Sequence, residues 1–145
     1  MAETKWTQGR SRDDFLGDWV LTRRIEDRHA GQAGLFEGTA QFVADGDSGA
    51  IYDESGLLHI GSAAPLKAER RYLYDFSGGI ITIRFADGRD FIQFNPASVH
   101  QAVHACDPDT YRAHHDFSRW PQWHAVWTVS GPRKDYTMWT MWQRP

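Results

Sequence analysis

Gly17-Asp18-Trp19 follows a short lead-in and opens a chain of short alternating segments, and a second tryptophan-rich segment, Trp139-Thr-Met-Trp142-Gln-Arg144, closes it. A glycine-x-tryptophan at the start of the first strand, with an arginine at the end of the last, is a pairing that locks the bottom of a small antiparallel barrel. Gly17, Trp19 and Arg144 are therefore the candidate structural residues. A barrel removes the sheet edges that many short strands would otherwise expose, and it has an inside.

Between these ends, β-branched and aromatic residues come in short runs cut by Gly, Pro, Asp and Asn. The pattern predicts strands near 18–27, 35–44, 50–53, 57–60, 68–76, 80–86, 89–94, 99–106, 110–117, 124–130 and 135–143. Helical periodicity is confined to one turn around Arg12-Asp-Asp-Phe-Leu16, with Ser11 as its N-cap. There is no repeat, linker or low-complexity tract, and hairpin follows hairpin. The expected fold is all-β: one antiparallel up-and-down barrel of about 8–10 strands, with residues 1–145 forming a single domain.

Four reversals carry their own chemistry. Asp87-Gly88 predicts a two-residue hairpin, because both residues can reach positive φ. It pairs Phe85 with Asp90 and Ile83 with Ile92, which puts Phe91 on the face of Arg84. Ser77-Gly-Gly79 and Glu54-Ser-Gly56 mark two further turns, and Gly131-Pro-Arg-Lys134 marks the last.

Composition narrows the function classes. The net charge of −3 and the scattered arginines leave no basic footprint for nucleic acid. No apolar run approaches the ~20 residues of a membrane span. The first residues hold no hydrophobic signal core, and Cys106 is the single cysteine, so no internal disulfide forms. These features favour a reducing, cytoplasmic location, and a homodimer is compatible with them.

The segment from Val99 to Phe117 is the most unusual. Asp107-Pro-Asp-Thr110 predicts a type I turn. Its flanks then pair Cys106 with Tyr111, His104 with Ala113, Ala102 with His115 and His100 with Phe117. These eight residues share one face, which is expected to look inward. His104 and His115 become diagonal neighbours, ~7–8 Å apart at Cβ, close enough to share a ligand. His100 and His104 are ~13 Å apart by strand rise, so a three-histidine metal site is not supported. A one-residue slip would turn His114 and Asp116 inward instead.

Arg70, Arg71, Arg84 and Arg89 are the candidates for an inward arginine that grips a carboxylate or phosphate bidentately. Arg84 shares its hairpin face with Thr82 and Gln93 as a polar patch. Trp120-Pro-Gln-Trp123 reads as a bulky plug for a barrel end, with ligand stacking as the alternative. No hydrolase, zincin or phosphate-loop signature is present. Acid–base chemistry would therefore fall to Tyr111, His104, His115 and Asp116.

The strings Phe15-Leu-Gly-Asp-Trp19, Arg24-Ile-Glu-Asp27, Gly34-Leu-Phe-Glu-Gly-Thr-Ala40 and Tyr52-Asp-Glu-Ser-Gly56 form one recognisable set. A second runs His104-x-Cys-Asp-Pro-Asp-x-Tyr111, Asp116-Phe, Trp120-Pro and Val129-x-Gly-Pro-Arg-Lys-Asp-Tyr136. Together they resemble a family of small, mostly bacterial proteins known only as a domain of unknown function. The resemblance spans nearly the whole chain and implies no reaction. More distantly, Gly17, Trp19 and Arg144 are similar to the closing residues of the lipocalin and fatty-acid-binding (calycin-like) superfamily, which implies a barrel with a ligand cavity.

The leading expectation is thus a small-molecule-binding barrel. Its hydrophobic or amphipathic ligand would be anchored by His100, His104, Cys106, Tyr111, His115 and Arg84. The alternatives are an acid–base enzyme of isomerase, cyclase or hydrolase type in the same cavity, and a solid-packed interaction barrel. No cofactor or metal is called for.

Overall fold

The computed structural model describes residues 11–96 and 101–145, with Gln101 described by its backbone alone. Among the described residues a helical turn, α1 (Arg12–Phe15), precedes ten strands, and a 3-10 turn at Ser77–Gly79 lies between the fourth and the fifth. These are β1 (Gly17–Asp27), β2 (Gln32–Asp45), β3 (Gly49–Ile60), β4 (Leu66–Asp75), β5 (Ile81–Phe85), β6 (Asp90–Phe94), β7 (Gln101–Cys106), β8 (Asp109–Arg119), β9 (Gln122–Gly131) and β10 (Lys134–Gln143). All belong to one antiparallel sheet in the order β6-β5-β4-β3-β2-β1-β10-β9-β8-β7. The two chain ends are joined through the β1–β10 ladder, and the sheet's outer strands β6 and β7 come side by side. The result is the expected up-and-down, calycin-like barrel, nearly closed, with its seam between β6 and β7.

Alternation sets the interior. On β1 the buried positions are Trp19, Leu21 and Arg23, and on β2 they are Phe36, Ala40 and Phe42. Period-two burial of this kind is what a strand with one wet face requires.

The lower end is closed by a plug. Phe15, at the end of α1, meets Trp120 at 4.9 Å and Trp123 at 5.7 Å between ring centroids. Trp123 in turn stacks on Trp142 at 3.8 Å and 7°. The Trp19 indole donates to the Phe15 carbonyl at 2.8 Å. The Arg144 guanidinium lies 3.8 Å over the Trp19 ring and donates to the carbonyls of Asp18, Asp14 and Leu16. The Asp14 and Leu16 carbonyls sit at the end of a helix too short to satisfy them itself, and the Asp18 carbonyl lies at the start of β1. Gly17 has φ 103°, and a Cβ there would come within 3.3 Å of Arg144 Nη1. The helical turn itself is capped by Ser11, whose N–H donates to Asp14 Oδ2 at 2.9 Å, and Asp14 N donates to Ser11 O.

Three local expectations are corrected. First, β3 runs unbroken through Glu54-Ser55-Gly56. Gly56 pairs with Gly38 across the ladder, and a Cβ on either would approach the opposite backbone to 2.2 Å. The glycines mark a tight approach of two long strands, not a reversal. Second, the Asp87-Gly88 loop has three residues. Gly88 N donates to Phe85 O, and Phe85 N to Arg89 O. Only Gly88 has positive φ, at 91°, the hairpin form with one left-handed glycine. Arg84 therefore pairs with Asp90, and a bulge at Phe91 restores the expected Ile83–Ile92 pair. Third, the Asp107–Pro108 peptide is cis and Cys106 pairs with Asp109, a two-residue loop in place of a four-residue type I turn. The register moves by two, so the faces are those expected, but His104 now opposes Tyr111.

Replacing Arg144 by alanine removes a ring contact and three carbonyl hydrogen bonds at once. The expected loss is about 2–3 kcal/mol of unfolding free energy, read as a lower urea midpoint with unchanged m. Arg144→Lys, which cannot fork across three carbonyls, should recover less than half of it.

Candidate functional site

Above the plug the barrel holds a cavity of 270 Å³. Its polar wall is built on β1, β3, β4 and β10. Arg23 and Glu54 are both buried, with side chains 8% and 2% exposed. Arg23 Nη1 lies 2.6 Å from Glu54 Oε1, and Nη2 lies 3.1 Å from Oε2. The Arg23 Nε–H donates to Thr140 Oγ1 at 2.8 Å. The pair spans β2, where the intervening inward positions are Gly38 and Ala40, small enough to leave room. Tyr52 donates its hydroxyl to Glu54 Oε2 and accepts from Trp142 Nε1 at 3.0 Å. Arg70 approaches from β4, its Nε 3.3 Å from Glu54 Oε1, and its side chain is 42% exposed.

Two charges at this depth persist because each is saturated by partners. Burial works against the Arg23 charge, yet the Glu54 carboxylate outweighs it and holds the guanidinium above its usual range. Burial likewise pushes Glu54 up, but Arg23 and Arg70 overcome it and its pKa falls below the ordinary value. Tyr52 and Tyr74 are both driven upward, chiefly by burial and then by the Glu54 charge. Both phenols stay protonated.

The opposite wall is aromatic. Phe91, turned inward by its bulge, stacks on Phe85 at 4.4 Å and on Trp127 at 4.9 Å. It meets His104 at 5.3 Å and Tyr111 at 5.7 Å, both edge-on. At the floor end, His115 stacks on Phe94 at 4.0 Å and 7°. Two residues further along β8, Phe117 stacks on Trp123 of the plug at 5.4 Å. Burial pushes His115 down to about 3, and the neighbouring His114 adds a smaller push. Its imidazole is neutral at any physiological pH.

Of the residues singled out from sequence, His104, Cys106, Tyr111 and His115 line this cavity. Cys106 is exposed at its rim. Tyr111 accepts from Lys134 Nζ at 3.1 Å, and Lys134 also pairs with Asp109 at 3.1 Å. Arg84 faces away from the cavity and binds Asp90 at 2.9 Å, because it alternates on β5 with Ile83 and Phe85, which line the cavity. His100 lies outside the described residues. His104 and His115 are not neighbours: His104 opposes Tyr111, and His115 sits four residues beyond Tyr111, ~13 Å along the strand. They cannot share one ligand atom. Arg70, one of the four arginines considered from sequence, also lines the cavity, whereas Arg23, Tyr52, Glu54 and Trp142 were not anticipated. An acid flanked by Ser and Gly carries the local signature of a turn, which hid Glu54.

The chain belongs to the family of unknown function DUF6314, whose model matches residues 15–144. The resemblance read from the two motif sets is thereby borne out. No curated protein matches the chain. Among solved structures, the S-type phycobiliprotein lyase CPES from Guillardia theta aligns with a TM-score of 0.52 at 10% identity, over 97% of this chain and 96% of that one. A redesigned β-barrel, mFAP1, bound to DFHBI, aligns with a TM-score of 0.46 at 13% identity, over 93% and 99%. The first likeness is one of fold. No helix among the described residues is long and apolar enough to cross a membrane.

Two outcomes are expected. Glu54→Gln leaves a buried arginine without its counter-charge and should cost about 3–5 kcal/mol in urea unfolding, while Arg23→Met/Glu54→Met together should cost much less. A double variant as unstable as Glu54→Gln would show that the charges are not coupled. For His115, the folded pKa lies below the unfolded value of 6.5, so the unfolded chain binds the extra proton. The stability is full above pH 6.5 and is lost as pH falls toward 3. His115→Phe should flatten that acid limb by up to about 1.4 kcal/mol per pH unit. Identical slopes for the two proteins would contradict it.

Proposed function

We propose that this member of the DUF6314 family holds a small, planar, partly apolar molecule in the barrel cavity, with an acidic group of the ligand at Arg70. The observation that carries the reading is the cavity itself: 270 Å³, with an aromatic wall facing a charged one. That volume lies near the small end of ligand pockets, the size of two fused rings with substituents. A second hollow of 280 Å³ shares Arg70, Tyr136 and Met138 with it and gives a substituent room toward the mouth.

The acidic preference follows from charge counting. Arg23 and Glu54 cancel, which leaves Arg70 as the uncompensated cation of the polar wall. Its guanidinium also reaches the Tyr72 hydroxyl, at 3.4 Å. That fork beside a phenol suits a carboxylate or sulfonate. Tyr111 and His104 face each other nearer the mouth and offer further polar contacts. Binding fits the groups present better than acid–base catalysis. Tyr52, Tyr74 and His115 are all shifted so that they stay neutral, whereas a general base at neutral pH needs a pKa near 7.

The test uses two naphthalene fluorophores that differ in charge. N-phenyl-1-naphthylamine, which is neutral, should bind with micromolar affinity and a blue-shifted emission. His104→Trp, which narrows the cavity, should weaken it at least tenfold. The sulfonated analogue 1-anilinonaphthalene-8-sulfonate should bind more tightly. Arg70→Gln should lower its affinity about fivefold, a charge-assisted hydrogen bond discounted for exposure, and leave the neutral probe unchanged. Equal losses for both probes would remove the acidic preference, and no binding of either would remove the cavity reading.

A further inference from the structure

The floor end of the cavity carries a polar group that the protein itself does not use. His115 is 6% exposed and lines the cavity. Its ring is clamped flat on Phe94 at 4.0 Å and lies edge-on to Trp127 at 6.4 Å. Its contacts with the described residues are ring contacts with Phe94, Phe117 and Trp127, with no hydrogen bond. Its ring nitrogens are not among the fully enclosed polar atoms, so they can be reached from the cavity. Trp123 Nε1, packed inside the plug, is enclosed without a partner, whereas the polar groups of the opposite cavity wall are satisfied. Glu54 accepts from Arg23 and Tyr52 and forms an ion pair with Arg70, and Tyr52 both donates and accepts.

A buried imidazole without a partner is unfavourable, and leaving such a group unpaired is a standing cost to the fold. A neutral imidazole offers one N–H donor and one bare acceptor. A hydroxyl is a small ligand group that can pair with either one, accepting from the N–H or donating to the bare nitrogen. An apolar substituent would displace water from His115 and replace none of its hydrogen bonds.

We infer that His115 is the polar subsite at the closed end of the cavity, and that the ligand is a planar aromatic carrying a hydroxyl that hydrogen-bonds to its imidazole. This rests on the cavity-binding reading above and adds the ligand's second polar group. A hydroxyl at the floor and an acid near the mouth make the ligand class a hydroxylated aromatic acid. His115 is the residue that rejects the analogue without the hydroxyl, because a site built on a buried polar group leaves that group unpaired when the analogue binds. The flat clamp on Phe94 fixes the ring plane, so the hydrogen-bonding direction is set before the ligand arrives.

The experiment compares 2-naphthol with 2-methylnaphthalene, which has a methyl where the first has its hydroxyl. Both are uncharged at pH 7, so Arg70 does not enter. Their dissociation constants are measured on the wild-type protein and on His115→Phe, whose ring can take the same place on Phe94. The naphthol-to-methylnaphthalene affinity ratio should be about tenfold higher in the wild type than in the variant. Equal ratios, with both probes bound, would overturn the role of His115 while leaving the cavity reading intact. If neither probe binds the wild type, the cavity reading falls and this inference falls with it. A second measurement needs no variant. The His115 ring ¹⁵N resonances should shift when 2-naphthol is added and stay in place with 2-methylnaphthalene. Ring nitrogens that ignore both saturating probes would also overturn the assignment.

Discussion

The interior is organised by one interaction, the buried pairing of Arg23 with Glu54. A charge at this depth needs a counter-charge and a full set of hydrogen bonds, or it will not stay charged. That requirement brings four strands to terms with one another. Arg23 stands on β1 and Thr140 on β10, Tyr52 and Glu54 stand on β3, and Arg70 stands on β4. Gly38 and Ala40 stand on the intervening β2, and Gly38 is small because the backbone of β3 approaches it closely. The pair also divides the barrel. Below it, the side chains are aromatic and packed onto α1. Above and beside it, the partners are used up on one wall only, and a cavity remains.

The second organising constraint is the seam. Ten strands leave β6 and β7 adjacent without a backbone ladder among the described residues, so rings make the connection. Phe91 on β6 meets His104 on β7, Tyr111 on β8 and Trp127 on β9. Phe94 meets His115. A bulge is the device that makes this work. One extra residue on β6 turns Phe91 from the outer face, shared with Arg84, into the interior. The cavity's aromatic wall and the closure of the barrel are thus the same set of contacts.

Much of this architecture was legible in the sequence. The glycine–tryptophan opening and the closing arginine meet in space, and Trp120 and Trp123 fill the floor. The faces of the β7–β8 hairpin came out correctly although its register was two residues off, because an even shift preserves which side chains point inward. The same shift moved His104 away from His115, and with it any shared ligand. The misreadings have one physical source. Glycine and acid next to each other signal a turn when only neighbours in sequence are weighed. In Glu54-Ser55-Gly56 the glycine instead admits the backbone of β2, and the acid is held by an arginine thirty-one positions away. No local pattern contains that partner. In the same way, no alternation rule foresees a bulge that breaks alternation at one residue.

The protonation states connect this construction to what the cavity can do. Burial keeps the Tyr52 and Tyr74 phenols and the His115 imidazole neutral, and the buried Glu54 carboxylate is neutralised in place by Arg23. Proton transfer at neutral pH requires a group near its midpoint, and these four are held far from theirs. What they retain is direction: fixed donors and acceptors on a rigid frame. A set of oriented, uncharged hydrogen-bonding groups discriminates among ligands by which of its members is left unpaired. In this barrel Glu54 and Tyr52 are already satisfied by the protein and discriminate nothing. In the proposed reading, selectivity falls to the groups with capacity to spare, Arg70 toward the mouth and His115 at the floor, with the aromatic wall between them setting the plane of the ligand.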